Sequence, residues 1–306
     1  MRKGSEFVAV HGIDLTVPQG MIFGLLGHNG AGKTTTIKML STLLIPTSGT
    51  ARVAGFDVVR EEREVRRRLG VVLGGDRGLY NKLTARDNLI YFAHLYGVPR
   101  HEVGQRADAM LELVGLQDRG QDRVEGFSRG MKQRLHLAKA LIHNPPVLFL
   151  DEPTIGLDPA AAVRVREIIA GLAPERTVLL TTHYLHEADM LCDRIAIIDH
   201  GRIIVEDTPE GIKSRVGGDR RHQIVVRGQL NGWTGELLGR LPGVSSVNLE
   251  PDDDGVTTIT LVANDGASVD AALRALHQKE VRVEAVRTAD LTLEDAFLAL
   301  TGAGRP

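Results

Sequence analysis

The chain has 306 residues, 42% of them hydrophobic and 25% charged, with a formal net charge of -2. These are the values of an ordinary soluble globular protein with room for about two domains, and they exclude the basic field by which nucleic-acid binders hold phosphate backbones. The single cysteine, Cys192, excludes an internal disulfide and a multi-cysteine zinc site, and is expected to be a small buried residue in a helix. No apolar stretch reaches the roughly 18 residues needed to cross a bilayer and the N-terminus lacks the apolar core of a secretory signal, so a membrane role requires a partner.

In chain order, Leu15-Thr16-Val17 and Met21 to Leu26 read as two strands around the turn Pro18-Gln19-Gly20. Then comes Gly27-His28-Asn29-Gly30-Ala31-Gly32-Lys33-Thr34, a complete G-x-x-x-x-G-K-[ST] phosphate loop, followed by Thr35 and a helix expected over Thr34 to Leu44. Strand, loop and helix is the context this motif needs. Its glycines let successive N–H groups turn inward around a polyphosphate, and the helix N-terminus adds its positive dipole end. Lys33 would reach the β- and γ-phosphates, and the Thr34 hydroxyl would take a Mg²⁺ position.

Gly49 to Val58 reads as a short hairpin, and Arg60 to Arg68, where acids alternate with bases, as a solvated helix face. Thr84 with Asp87 opens a capped helix, a second helix covers about Glu102 to Val114, and Ser128 caps a third from Met131 to His143. The stripe Leu135, Leu137, Ala138, Leu141 and Ile142 is core. Val147 to Leu150, apolar throughout, suits a parallel strand covered on both faces. Helix (Ala160 to Ala173), strand (Val178 to Thr181), helix (Leu185 to Leu191) and strand (Ile195 to Asp199) follow, the alternation of an open α/β layer. Composition shifts at Gly217-Gly218-Asp219, and we expect a boundary there between domains of residues 1–217 and 218–306. The second reads as strand, helix, hairpin, helix, strand, helix, a small α+β domain. Its run Asp252-Asp253-Asp254-Gly255 lacks the ligand spacing of a calcium loop and reads as a hairpin turn.

Asp151 and Glu152 stand at the C-terminal tip of the buried strand, where open α/β sheets bind ligands. Asp151 is suited to hold Mg²⁺ and Glu152 to orient and deprotonate an attacking water. A helix-capping acid pair is the alternative, but a magnesium ion on Thr34 needs a carboxylate partner. His183 ends another apolar strand at the same edge and could donate to the γ-phosphate, although a histidine so placed is usually structural.

Together these motifs, over about residues 5 to 217, resemble the nucleotide-binding subunit of ABC transporters, which implies a P-loop ATPase domain with a helical subdomain over about 76–145. Phe127 to Leu135 resembles the family's signature segment, with Arg129 where a second glycine is common and Met131 where glutamine is common. The resemblance implies that Ser128, with Gly130 at the start of the following helix, binds the γ-phosphate of ATP held by a second copy. It places Asp158, at the end of Thr154 to Asp158, in the loop that crosses the dimer interface. The implied cofactors are ATP and Mg²⁺. The implied partners are a second copy of the chain and integral membrane permease subunits at the cytoplasmic face of the membrane, with coupling through Leu79 to Tyr96.

Two departures stand out. The family's glutamine between Gly70 and Thr84 is absent, with Asp76 as a substitute, and the adenine-stacking aromatic is displaced, with Phe7 the aromatic nearby. The tail Thr292 to Gly302 resembles daunorubicin-resistance drug-efflux ATPases, which implies export of a drug-like or hydrophobic compound. A soluble ABC ATPase without a permease and a weakly hydrolysing regulatory subunit fit the same motifs.

Overall fold

The computed structural model describes residues 8–73, 78–215, 220–227, 230, 233–252, 256–263, 266–279, 281–289 and 292–301. Phe7, Asp76 and the stretch around it, Gly217 to Asp219 and Asp253 to Gly255 lie outside the described residues. The chain divides into two compact units, Met1–Pro209 and Glu210–Pro306.

In the first unit β1 (Ile22–Leu26) leads through the glycine loop into α1 (Lys33–Leu40). A hairpin of β2 (Arg52–Val53) and β3 (Phe56–Asp57) precedes α2 (Glu62–Arg68) and β4 (Leu69–Val72). Next come the helices α3 (Ala85–Leu95), α4 (Val103–Leu113) and α5 (Arg129–Leu141). Strands and helices then alternate through β5 (Val147–Asp151), α6 (Pro159–Ala170), β6 (Thr177–Thr182), α7 (Leu185–Leu191) and β7 (Arg194–Asp199), closing with β8 (Arg202–Asp207). The sheet order is β4-β5-β6-β1-β7-β8. Every pairing is parallel except that of β8, which lies antiparallel on β7 at the edge.

β1 is buried along its whole length, as a central strand covered on both faces must be. Phe23, Leu25, Ile37, Val65, Phe149, Leu179 and Ile198 form one core with it. Each such side chain contributes roughly 1.5–3 kcal/mol by leaving water. Gly70 lets β4 lie against α5, since a Cβ there would come 2.4 Å from the Ala140 carbonyl oxygen. The helices start on their expected caps: the Thr84 and Ser128 hydroxyls accept the N–H of Asp87 and Met131. Arg134 donates to the Val114 and Gly115 carbonyl oxygens at 2.8 and 3.0 Å, which ties α5 to the end of α4.

The acid–base run of α2 is spent on its own surface, in pairs of Arg66 with Glu62 and of Arg68 with Glu64. Leu15 to Val17 is not a strand: Leu15 and Val17 pack against the core without pairing. The helix expected to Leu44 stops at Leu40, and residues 41–44 turn away. Cys192 is buried as expected but stands just beyond α7, as an extended C-terminal cap (φ -93°, ψ 132°). Burial, with Glu187 and Asp193 adding to it, pushes its thiol far above the usual range.

From the division onward run α8 (Pro209–Arg215), β9 (Arg220–Arg227), α9 (Trp233–Gly239), β10 (Val244–Pro251), β11 (Val256–Ala263), α10 (Gly266–Gln278), β12 (Arg282–Ala289) and α11 (Leu293–Thr301). The sheet of the second unit, ordered β10-β11-β9-β12, is antiparallel throughout. Ile224, Val226, Leu238, Ile259, Leu261, Val269 and Leu276 make its own core. β10 and β11 pair antiparallel, and Asp252 Oδ1 accepts the Val256 N–H at 2.8 Å. Among the described residues no helix is long and apolar enough to cross a membrane.

Candidate active site

The phosphate loop leaves the buried end of β1 and closes on itself around Lys33. The Lys33 ammonium donates to the Gly27 carbonyl oxygen at 2.6 Å and to that of His28 at 3.1 Å. Gly27 is confined: a Cβ there would come 2.3 Å from the Ile198 carbonyl oxygen of β7. Gly32, at φ 110°, enters α1 in a conformation that side chains avoid. A helix leaves its first N–H groups without intrahelical acceptors, and here those belong to Lys33, Thr34 and Thr35. Gly30 and Asn29 form the exposed crest of the loop, while Ala31 is buried beneath it and donates its N–H to the His28 carbonyl oxygen.

Facing the loop is the end of β5. The Thr34 hydroxyl lies 3.2 and 3.0 Å from the two oxygens of Asp151. Asp151 is buried, and the Thr181 hydroxyl from β6 donates to it as well. Glu152 brings Oε1 to 3.8 Å from the Lys33 ammonium and 3.2 Å from Nδ1 of His183. The second contact is close enough for an ion pair but out of line for a hydrogen bond. Burial lowers the affinity of Lys33 for its proton, opposed by the charges of Glu152 and Asp151.

Glu152 also carries strain, at φ 51° with its N–H held by the Thr181 carbonyl oxygen at 3.0 Å. Non-glycine residues in this region persist where their surroundings over-determine them, which is common at functional sites. His183 is placed from below, because the Thr182 hydroxyl donates to buried Glu187 and accepts the Tyr184 N–H. Thr181 was not singled out from sequence. Its role depends on the register Asp151↔Thr181 between strands, which no local pattern carries.

Lys33, Thr34, Asp151, Glu152 and His183 therefore meet at one place. Ser128, Gly130 and Asp158 form a second group. Ser128 and Asp158 are the exposed N-caps of α5 and α6, and Asp158 accepts the Ala161 N–H at 2.9 Å. Gly130 lies between these helix ends, where a Cβ would come 2.6 Å from that of Ala161. The Arg129 guanidinium rests on Gly156 of the intervening loop. Among the described residues no hydrogen bond or ion pair joins the two groups.

A parallel sheet that delivers a lysine-filled glycine loop opposite an acidic strand end defines the class of P-loop nucleoside triphosphatases. Residues 10–155 match the family model of the ABC transporter. The chain is 42% identical over 97% of its length to the daunorubicin resistance ATP-binding protein DrrA3 of Streptomyces coeruleorubidus, covering 92% of that protein. It is 40% identical over 96% of its length to the daunorubicin/doxorubicin resistance ATP-binding protein DrrA of Streptomyces peucetius, covering 88% of it. The chain belongs to the ATP-binding subunits of the ABC transporter family, and it is an ABC ATPase.

Among solved structures, cbiO1 from Clostridium perfringens, part of the ABC transporter complex cbiONQ, matches 67% of the chain and 84% of its own with a TM-score of 0.63 and 25% identity. A dimeric ATP-binding cassette, MJ0796 bound to ADP and Pi in a post-hydrolysis state, matches 68% of this chain and 94% of its own with a TM-score of 0.60 and 25% identity.

Proposed function

We propose that the protein is the ATP-hydrolysing subunit of an exporter for drug-like or hydrophobic compounds. It works as a dimer, bound peripherally to separate permease subunits at the cytoplasmic face of the membrane. The observation that carries the hydrolytic reading is the convergence of Lys33, Thr34, Asp151, Glu152 and His183 at the tips of adjacent strands. Lys33 grips the β- and γ-phosphates, helped by the N–H groups of Gly30, Gly32, Thr34 and Thr35. Glu152 takes the proton of the attacking water, and His183 orients Glu152 and donates to the γ-phosphate.

Thr34 and Asp151 fit Mg²⁺, because their donors are all oxygen and Asp151 is held rigid by two hydroxyls. When bound, the ion neutralises charge on the phosphates. Ser128, Gly130 and Asp158 act on ATP held by the second copy, which accounts for their separation from the first group. Identity of 42% along nearly the whole chain to a daunorubicin resistance protein supports drug-like cargo.

The test is ATP turnover of Glu152→Gln with its permease in liposomes. Loss of general-base catalysis should lower turnover about 10² to 10⁴-fold while ATP still binds. Retained turnover refutes the role of Glu152. Accumulation of an anthracycline by cells carrying the subunit and its permease, compared with Glu152→Gln, tests the cargo.

A further inference from the structure

On the far side of the phosphate loop, two imidazoles and a carboxylate converge. His28 Nε2 is 2.7 Å from Asp199 Oδ1, and His200 Nε2 is 3.9 Å from the same oxygen. The ligating atoms all lie within 4.8 Å of one another. Zinc–nitrogen and zinc–oxygen bonds are about 2.1 Å, so tetrahedral ligands stand about 3.4 Å apart. The two distances to Asp199 fall on either side of that value.

The turn that supplies two of the ligands is docked on the loop that supplies the third. Asp199 pairs with Arg202 across a two-residue turn, with His200 at φ 45° and Gly201 at φ 73°. Two successive left-handed residues make the tight hairpin form. The Gly201 N–H donates to the Ala31 carbonyl oxygen at 3.0 Å, fastening the turn to the loop. His200 is mostly exposed, and its ring lies edge-to-face with that of His28, 5.5 Å between centroids.

The surroundings of His28 point to a cation. Its Nδ1 is 2.7 Å from the Asn29 carbonyl oxygen, while its Nε2 faces the Asp199 carboxylate. Two acceptors around one imidazole are satisfied by two protons, or by one proton on Nδ1 and a metal ion on the Nε2 side. The second arrangement is the one by which metal-ligating histidines are oriented, with the free ring N–H given to a carbonyl oxygen.

We propose that His28, Asp199 and His200 bind a first-row transition-metal dication of the Zn²⁺ class, which clamps the phosphate loop to the β7–β8 turn. Imidazole donors select such ions over Mg²⁺, so the site is distinct from the one at Thr34 and Asp151. Three protein ligands leave one coordination position for water.

The experiment uses the full chain, stripped with chelator, free of nucleotide and in excess Mg²⁺. Zn²⁺ is titrated calorimetrically, and Co²⁺ is followed by its visible absorption. The expected result is one saturable equivalent for the wild type, weakened at least about 10-fold in His200→Asn and in Asp199→Asn, as loss of a ligand costs no less than loss of its supporting contact. Asparagine tolerates the positive φ of residue 200, so that variant keeps its fold. Mg²⁺-dependent ATP turnover in zinc-free buffer should be unchanged in His200→Asn. No saturable Zn²⁺ site in the wild type, or equal Zn²⁺ affinity in wild type and His200→Asn, overturns the proposal.

Discussion

Gly130 sits where the helix carrying Ser128 meets the helix carrying Asp158, and Gly130→Ala probes that junction. The added Cβ would stand 2.6 Å from the Ala161 Cβ, against about 3.5–4.0 Å for carbons at optimal separation. Both atoms are fixed to helix backbone, so α5 and α6 must part locally by roughly 1 Å. Overpacking of this kind costs about 1–3 kcal/mol, and the better helix propensity of alanine returns at most about 1 kcal/mol. At the middle of the first range the net loss is about 1–2 kcal/mol, which should lower the melting temperature of the ATPase unit by roughly 2–8 °C. On the roles proposed for Ser128 and Asp158 it should also lower turnover, since the helices they cap would no longer be in register. Nucleotide binding at Lys33 should survive.

The assay is a thermodynamic cycle with Ala161→Gly, read by urea melts and by turnover. If packing is the reason for glycine, the double variant recovers a coupling of about 1–3 kcal/mol and part of the activity. If Gly130 instead serves to bring its backbone against a phosphate, removing the Ala161 methyl recovers nothing. An additive cycle, or a Gly130→Ala protein as stable as wild type, refutes the packing argument.

Other outcomes follow from the geometry already given. Lys33→Ala removes a cation that organises the loop through the Gly27 and His28 carbonyl oxygens; nucleotide affinity measured by calorimetry should fall about 10-fold or more, the worth of one charged hydrogen bond. At position 152, φ 51° costs a side chain about 1–2 kcal/mol. Glu152→Gly should therefore melt above Glu152→Ala, and equal melting would remove strain from the site. Burial raises the Cys192 thiol, so the thiolate form is suppressed in the folded protein and gained on unfolding as pH rises. Maleimide should label Cys192 slowly at pH 8 in buffer and rapidly in denaturant, whereas equal rates would show an accessible thiol. Thr84→Ala deletes a cap whose hydroxyl receives the Asp87 N–H at 3.0 Å, and equilibrium melts should show a loss of about 1 kcal/mol.

The phosphate loop was legible because its letters encode local geometry: glycines where the backbone turns, lysine at the mouth, a helix directly after. Asp151, Glu152 and His183 were legible as polar residues ending apolar runs. The caps at Thr84 and Ser128, and the element order from β9 onward, followed from equally local rules. What was hidden depends on pairing across the chain. β4 follows α2 without a break, and α2 ends in three arginines, so its short apolar run carried no strand signal. β8 is a half-exposed edge strand with mixed burial. Leu15 to Val17 has a strand's composition but gains no partner. The positive φ of Glu152, the hydroxyl of Thr181 on Asp151, and the meeting of His28 with Asp199 arise from strands brought together by the sheet.

The place of β1 has a consequence for how the protein is made. It is an interior strand, yet both its neighbours, β6 at Thr177–Thr182 and β7 at Arg194–Asp199, emerge from the ribosome long after it. At ordinary rates of synthesis the wait is on the order of ten seconds. For that interval Phe23, Leu25 and Leu26 have no sheet to enter, and the phosphate loop has no acidic strand end opposite it. A nascent chain ending before Thr177 lacks the strand that joins β5 to β1, so Asp151 cannot be held opposite Thr34. The meeting of Lys33, Thr34, Asp151, Glu152 and His183 is thereby reserved for chains whose central sheet has closed.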